Sequence, residues 1–165
     1  MHSSKYYIEK LNLLPHPEGG FFKEIYKSEE KIHKDHLPER YGGHRHHATS
    51  IYFLLETGNR SKFHRIKSDE LWYFHAGCSC TVVTIDDNGK LEEHKVGLNI
   101  ENGEQPQAII TKGLWFGAYV NEPDSFSLVG CAVAPGFDFL DFEMGEREKL
   151  LKEFPQHKDI IIKLT

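Results

Sequence analysis

The chain has 165 residues, a length typical of one domain with a substantial buried core. Hydrophobic residues make up 39% and charged residues 27% of the chain, which is ordinary for a globular protein. The formal net charge of -5 gives no attraction to nucleic-acid phosphates or anionic membranes, and no apolar run approaches the ~20 residues that span a bilayer. We therefore expect one domain over residues 1–165, with neither nucleic acid nor membrane as a partner. The first residues lack the apolar core of a signal peptide, which predicts a cytoplasmic location.

Helical patterns are confined to the two ends of the chain, and strand patterns lie between them. Ser3 or Ser4 is placed to cap a short helix that ends before Pro15. Segment 145–155 carries acids before lysines along an apolar stripe, an order that suits the helix dipole. Six runs rich in β-branched and aromatic residues are separated by turn signals: 50–56, 70–77, 80–86, 107–113, 114–120 and 126–134. This alternation of strand-like runs and turns, without parallel βαβ units, predicts an all-β sandwich or barrel with helices on its outside.

The run from Ile51 to Leu55 is apolar without alternation, which predicts a strand covered on both faces. A second copy of the chain packed on the outer face would explain this pattern, and so would a helix of the same chain. We expect a homodimer, with the covering helix as the alternative.

The three cysteines are an odd number and include no C-x-x-C pair. Cys78 and Cys80 point to the same side of a strand, and Cys131 is distant in sequence. This pattern favours small buried hydrophobes over a disulfide framework.

The most informative chemical pattern lies in FHRIKSDELWYFHAG, residues 63–77. Five residues separate His64 from Glu70, and six more separate Glu70 from Gly77. A strand–turn–strand with this spacing aims an imidazole and a carboxylate into one cavity, which suits acid–base chemistry or metal binding. We expect His64 and Glu70 to be the catalytic residues; the alternative is a hydrogen-bonded pair that only holds two strands together.

Aromatic residues are the candidate ligand-binding wall of that cavity. Strand alternation places Trp72 and Phe74 on the same face as Glu70. Trp115 and Phe116 follow in a later strand, and such side chains suit a sugar ring or a heterocycle. Aromatic residues at this spacing are also common in cores, which is the structural alternative.

The 63–77 spacing resembles the first motif of metal-binding cupins, which has a second histidine where Ile66 stands. In the second motif, Phe116 replaces the histidine that supplies the last ligand. Only His64 and Glu70 remain of three histidines and one glutamate, whereas catalytic metal sites use three or more protein ligands. The expectation is therefore that there is no cofactor; a metal, if bound, would use His64 and Glu70.

Further phrases strengthen the resemblance and identify the chain as a member of the cupin family catalogued as domain of unknown function 985. They follow one another in order: HPEGGFFKEIY (16–26), SIYFLL (50–55), FHRIKSDELWYFHAG (63–77), GLWFGA (113–118) and LVGCAVAPGFDFLDFEM (128–144). The resemblance covers nearly the whole chain and implies a double-stranded β-helix, or jelly roll, that forms dimers. It implies no agreed activity. Members of this family generally lack the second-motif histidine, so Phe116 is typical of the group.

Two further carboxylates are candidate ligand-binding residues within these phrases. Glu18, in HPEGG, is placed to accept hydrogen bonds at the barrel mouth, although the same phrase suits a plain turn before the first strand. Asp138 lies among aromatic residues, which would raise its pKa and suit a proton donor; its alternative is a turn cap.

The leading hypothesis is a cytosolic cupin that binds a small polar organic molecule and isomerises or epimerises it without a metal. His64 is then the base and Glu70 its partner. One alternative is a non-catalytic metabolite-binding protein that uses the same pocket. Another is a metal-dependent oxygenase or isomerase whose ligand set is completed by His44 or His46.

Overall fold

Two antiparallel β-sheets face each other in the computed structural model, which describes residues 2–165. The strands are β1 (Leu14–Pro15), β2 (Phe21–Lys27), β3 (Lys31–Ile32), β4 (Arg45–His46), β5 (Thr49–Glu56), β6 (Arg60–Arg65), β7 (Asp69–Gly77), β8 (Cys80–Ile85), β9 (Leu91–Val96), β10 (Gln107–Ile110), β11 (Trp115–Val120), β12 (Phe126–Ala134) and β13 (Glu143–Met144). The helices are α1 (Ser4–Leu11), α2 (Arg147–Glu153) and α3 (Lys158–Lys163). None of these helices has the length and apolar character needed to cross a bilayer.

The larger sheet has the strand order β1-β2-β5-β12-β7-β10, and the smaller one β13-β6-β11-β8-β9. Strands that are neighbours in a sheet are mostly distant in sequence, as in a jelly roll: β12 pairs with both β5 and β7. A two-stranded ribbon, β3 with β4, lies outside the two sheets. This arrangement confirms the prediction of an all-β fold with short helices at both ends.

The main core lies between the sheets because alternate side chains of each strand point inward. On β5, Phe53 and Leu55 enter this core while Leu54 joins a separate cluster on the outer face. On the facing sheet, Val82 and Phe116 complete the core.

Helices of the same chain cover the outer faces of the sheets. The side chain of Ser3 caps α1 by accepting a hydrogen bond from the Tyr6 amide, and α1 packs Ile8 and Leu11 near Leu54. The predicted double burial of strand 51–55 is therefore explained by the helix. The homodimer stays a prediction.

The C-terminal helices cover the smaller sheet, and one of them was missed by the sequence pattern. Residues 160–162 are three consecutive isoleucines, which favour a strand by propensity. They form part of α3 because Ile161 and Leu164 become fully buried against Phe63 and Val83 of the sheet. Tertiary packing thus overrides local preference.

The segment that follows β12 is fixed to the barrel by a buried ion pair. The guanidinium of Arg45 donates two hydrogen bonds of 2.6 Å to the Asp141 carboxylate, and both side chains are almost fully buried. The amide of Phe137 also donates to Thr49 Oγ1 at 2.9 Å. These contacts hold residues 136–142 against the end of the barrel.

Removing one partner of this ion pair should destabilise the protein strongly, because a buried charge loses its compensation. We expect Asp141→Leu to lower the free energy of unfolding by roughly 3–5 kcal/mol and the double variant Arg45→Met/Asp141→Leu to recover most of it. Urea denaturation measures both effects. The exposed pair Arg65–Glu143 is the control: Glu143→Gln should cost about 1 kcal/mol or less. Equal losses for the two pairs would contradict the structural role of Arg45.

Candidate functional site

A cavity of about 100 Å³ lies between the two sheets and opens to solvent beside Phe139, whose side chain is 60% exposed. Most of its walls come from strands of the larger sheet, with one contribution from β6. The lining residues are His16, Glu18, Phe22, Glu24, Thr49, Ile51, His64, Ile66, Glu70, Cys131, Val133, Phe137 and Phe139. The cavity is therefore apolar except for Thr49 and a group of histidines and glutamates.

His64 and Glu18 form a buried pair inside the cavity. His64 Nε2 lies 3.1 Å from Glu18 Oε2, and both side chains are less than one-tenth exposed. The other ring nitrogen, Nδ1, lies 2.7 Å from the carbonyl oxygen of Lys62. Because a carbonyl only accepts, Nδ1 must carry a proton, and a second proton lies between Nε2 and Oε2. The Ser61 hydroxyl donates to Glu18 Oε1 at 2.7 Å, which favours the ionised carboxylate and a charged imidazole.

The backbone of the HPEGG turn brings Glu18 to this position. The amide of Lys62 donates to the carbonyl of Glu18 at 3.0 Å, so the turn lies directly on β6. Gly19 has φ of +116°, and a Cβ at this residue would collide with the carbonyl oxygen of Arg60. A glycine is required here because the chain adopts a left-handed conformation and approaches β6 closely. The HPEGG segment is thus a turn that leads into a strand, and it also places Glu18 as a hydrogen-bond acceptor in the cavity.

His16 is the second histidine of the cavity, and it is neutral. Its Nδ1 accepts a hydrogen bond from the amide of Glu18 at 3.3 Å, so its proton lies on Nε2. Burial lowers the pKa of His16 below its ordinary value, and the charge of Glu18 opposes this effect only in part. The ring packs edge-on against Phe22 and Phe53.

Glu70 is a carboxylic acid that keeps its proton at neutral pH. Burial raises its pKa from 4.5 to about 8, and the negative charge of Glu18 adds to the shift. The thiol of Cys131 and the indole N–H of Trp72 lie close enough to favour ionisation slightly. The Trp72 Nε1 nevertheless has no hydrogen-bond partner of standard geometry within residues 2–165. No ion pair to Glu70 forms among the same residues, so a negative charge on it would have no compensation, and the neutral acid is favoured.

The three cysteines are unpaired, and Cys131 also lines the cavity. Burial and the neighbouring Glu70 raise the pKa of its thiol well above the ordinary value. Cys131 is therefore a neutral, unreactive part of the wall, in agreement with the sequence interpretation.

The structure brings together His64, Glu70 and Glu18 among the predicted site residues, but not the predicted aromatic wall. Trp72, Phe74 and Phe116 point inward but belong to the packed core below the cavity lining. Trp115 points to the opposite side of its strand, where it packs under the C-terminal helices and the Arg65 guanidinium. The adjacent residues Trp115 and Phe116 could not both face inward, because side chains alternate along a strand.

Asp138 has the alternative role that the sequence left open. Its carboxylate accepts a hydrogen bond from the Leu140 amide at 2.9 Å and caps the 3-10 turn Phe139–Asp141. It does not line the cavity.

The aromatic residues that do line the cavity are Phe22, Phe137 and Phe139. They come from β2 and from the segment after β12, and Phe137 and Phe139 contact each other with ring centroids 5.0 Å apart. The signal that could have found them is their place in the family phrases FFKEIY and GFDFLDF. Only the fold brings these phrases to the same cavity.

The donor set of the cavity does not fit the metal site that cupin motifs imply. Ile66 and Phe116 are buried hydrophobic residues at two of the expected histidine positions. Within residues 2–165, no three histidine, cysteine or acidic side chains converge in a geometry that could hold a metal ion. Catalytic transition-metal sites use at least three protein ligands, so we derive no step through a metal.

The two histidines proposed to complete a metal site lie outside the cavity lining. His44 is exposed and its Nδ1 accepts a hydrogen bond from the Lys34 amide, while His46 Nδ1 contacts the carbonyl of Ser28. Neither can join His64 and Glu70 without rearrangement of the β3–β4 ribbon.

Comparison with known proteins agrees with this structure. A model of the family Cupin_5, described as Cupin superfamily (DUF985), matches residues 5–145. The chain belongs to this family. The uncharacterized protein YML079W of Saccharomyces cerevisiae is 30% identical over 152 residues, which cover 86% of this cupin and 75% of the yeast protein.

Solved structures extend the comparison. Protein SO0799 from Shewanella oneidensis has 45% identity to this cupin and a TM-score of 0.90, over 100% of this chain and 98% of that one. A hypothetical protein from Leishmania major has 34% identity and a TM-score of 0.91, over 99% of each chain. Oxalate decarboxylase from Bacillus subtilis has 18% identity and a TM-score of 0.55, over 92% of this chain and 36% of that one. The last comparison shows the cupin fold alone.

The protonation of Glu70 should make stability depend on pH. The unfolded chain ionises this group near its ordinary pKa of 4.5, whereas the folded protein holds the proton to about pH 8. The free energy of unfolding should therefore fall between these pH values, by up to roughly 4–5 kcal/mol at about 1.4 kcal/mol per unit. Urea denaturation of wild type and Glu70→Gln measures this, and the variant should lose that part of the slope.

The control for this prediction is Glu24→Gln, which changes an exposed glutamate of the same cavity. It should keep the wild-type slope. If Glu70→Gln also keeps it, the carboxyl of Glu70 ionises normally in the folded protein.

Proposed function

We propose that this cupin is a metal-independent enzyme that isomerises or epimerises a small polar molecule bound in the barrel cavity. One observation carries the proposal: two carboxyl groups line one cavity, and Glu18 is paired with His64 whereas Glu70 has no ion-pair partner among residues 2–165. Glu70 retains its proton at neutral pH, whereas Glu18 is a carboxylate paired with His64. In enzymes that use one carboxyl group as an acid and another as a base, different environments commonly separate the two pKa values in this way.

Glu70 and the Glu18–His64 pair take different roles in proton transfer. Glu70 is the proton donor, and the Glu18–His64 pair is the acceptor. Because both ring nitrogens of His64 carry protons, the Glu18 carboxylate is the group of this pair that can accept one, and His64 holds it in place. One proton passes from a substrate carbon to the pair while another passes from Glu70 to the substrate. Exchange with solvent through the mouth beside Phe139 then returns both groups to their starting states.

This assignment modifies the hypothesis drawn from the sequence. There, Glu70 was the partner that orients His64. The hydrogen-bond partner of His64 is Glu18, so the proposal keeps His64 with the base and assigns Glu70 to the acid. Ser61 contacts one oxygen of the Glu18 carboxylate and His64 contacts the other, so the proton acceptor has a fixed orientation.

The cavity limits the size of the substrate. Its volume of about 100 Å³ is well below the roughly 300–1,000 Å³ of pockets for drug-sized ligands. A compact molecule, or a compact reacting end of a larger one, fits this space. Oxalate decarboxylase shares only the fold with this cupin, so oxalate is not carried over as a substrate.

Hydrogen exchange tests the proposed chemistry across several classes of candidate substrate at once. Protein treated with a chelator is incubated in D₂O with small aldoses, ketoses and amino acids, and loss of C–H signals is followed by ¹H NMR. We expect exchange at one carbon of one compound class. Glu70→Gln and Glu18→Gln should each slow the exchange roughly 100-fold or more, because each removes one proton-transfer group.

Glu143→Gln is the control and should exchange at the wild-type rate, because Glu143 does not line the cavity and pairs with Arg65 at the surface. Compounds that bind in the cavity without C–H exchange would instead identify a non-catalytic metabolite-binding protein. Exchange that requires an added divalent metal would contradict the metal-independent mechanism.

A further inference from the structure

The charged groups that line the cavity are unbalanced in sign. Three glutamates and two histidines line it, and no lysine or arginine among residues 2–165 does so. His16 is neutral, and the charge of His64 balances one carboxylate, that of Glu18. Glu24 remains as an unbalanced negative charge near the mouth, and Glu70 supplies a second one whenever it ionises.

Two arginines that are close in sequence to lining residues, Arg45 and Arg65, have partners elsewhere. Arg45 is saturated by Asp141 and by the carbonyl of His44. Arg65 lies over the Trp115 ring on the outside of the smaller sheet and pairs with Glu143. Neither of these two residues lines the cavity. An anion in the cavity would therefore lie beside Glu18 without a compensating cation, which is strongly unfavourable in a buried site.

The acceptors and walls of the cavity suit a positive charge. The Glu70 carboxyl is more than nine-tenths buried, lines the cavity, and makes no hydrogen bond of standard geometry with residues 2–165. It is thus available to accept from a bound N–H group. The rings of Phe22, Phe137 and Phe139 form the aromatic wall, and aromatic faces attract cations.

We infer that the cavity selects a small organic cation with N–H donors, such as an amidinium, a protonated amine or a protonated nitrogen heterocycle, and rejects carboxylates and phosphates. This inference rests on the proposed function, because it names the substrate class of the same site. Glu24 and Glu70 supply the negative charge and the free acceptor, and the phenylalanines cover the cation. A site for a cationic ligand needs no arginine or lysine, and none lines this cavity among residues 2–165.

Three molecules of nearly equal shape separate charge from size: acetamidinium, acetamide and acetate. Each is titrated at pH 7 into the full-length protein, and binding is followed by the NMR resonances of the His16 and His64 rings. These rings report on the cavity itself, so binding elsewhere on the surface is not counted. We expect acetamidinium to bind at least about tenfold more tightly than acetamide, in keeping with the strength of charge-assisted hydrogen bonds, and acetate to leave the resonances unchanged.

Glu24→Gln and the surface variant Glu143→Gln complete the experiment. Glu24→Gln should weaken acetamidinium binding roughly threefold and leave acetamide binding unchanged, because only the cation uses the charge of this partly solvated carboxylate. Glu143→Gln should change neither. Equal affinity for acetamidinium and acetamide, tighter binding of acetate, or no shift of the histidine resonances with any of the three would overturn the inference.

The binding experiment and the hydrogen-exchange experiment test the cation site and the acid–base chemistry separately. A preference for acetamidinium without C–H exchange on any substrate supports the cation site and contradicts the acid–base chemistry. C–H exchange on a neutral or anionic substrate supports the chemistry and overturns the cation inference.

Discussion

The close approach of the HPEGG turn to strand β6 is the contact on which the candidate site depends. It requires Gly19, because any Cβ there would collide with the Arg60 carbonyl. The approach delivers the Glu18 carboxylate to Ser61 and His64, and without it Nε2 of His64 would face the cavity with no partner. A backbone constraint at one turn thus determines the electrostatics of the barrel interior.

Burial then creates a difference between two similar side chains. A cavity in a low-dielectric interior holds a carboxylate only where a positive charge or several donors compensate it. His64 and Ser61 compensate Glu18, whereas Glu70 has no such partner within residues 2–165 and stays protonated. The loss of the usual cupin metal ligands is consistent with this result, since Ile66 and Phe116 leave the cavity apolar around one acid and one ion pair. The acid–base proposal follows from that asymmetry.

Local patterns in the sequence predicted six of the strands, the helices α1 and α2, and the inward direction of His64 and Glu70, but they missed β2, β9 and α3. The family resemblance predicted the cupin fold. The remaining site could not be predicted because it depends on contacts between distant segments: nothing local shows that Glu18 contacts His64 or that Phe139 forms the mouth. Pattern alone also cannot choose which aromatic residues of a strand reach a cavity. Four predicted wall residues lie in packed clusters instead: Trp72, Phe74, Trp115 and Phe116.

The central claim is that Glu70 is a neutral acid beside an ionised Glu18–His64 pair, and direct titration tests it. Carboxyl ¹³C resonances of protein labelled at glutamate Cδ report the ionisation of each side chain. We predict one glutamate that titrates near pH 8, is absent from Glu70→Gln, and is still present in Glu24→Gln. Ionisation of every glutamate below about pH 6 would contradict the account, because the cavity would then lack its proton donor.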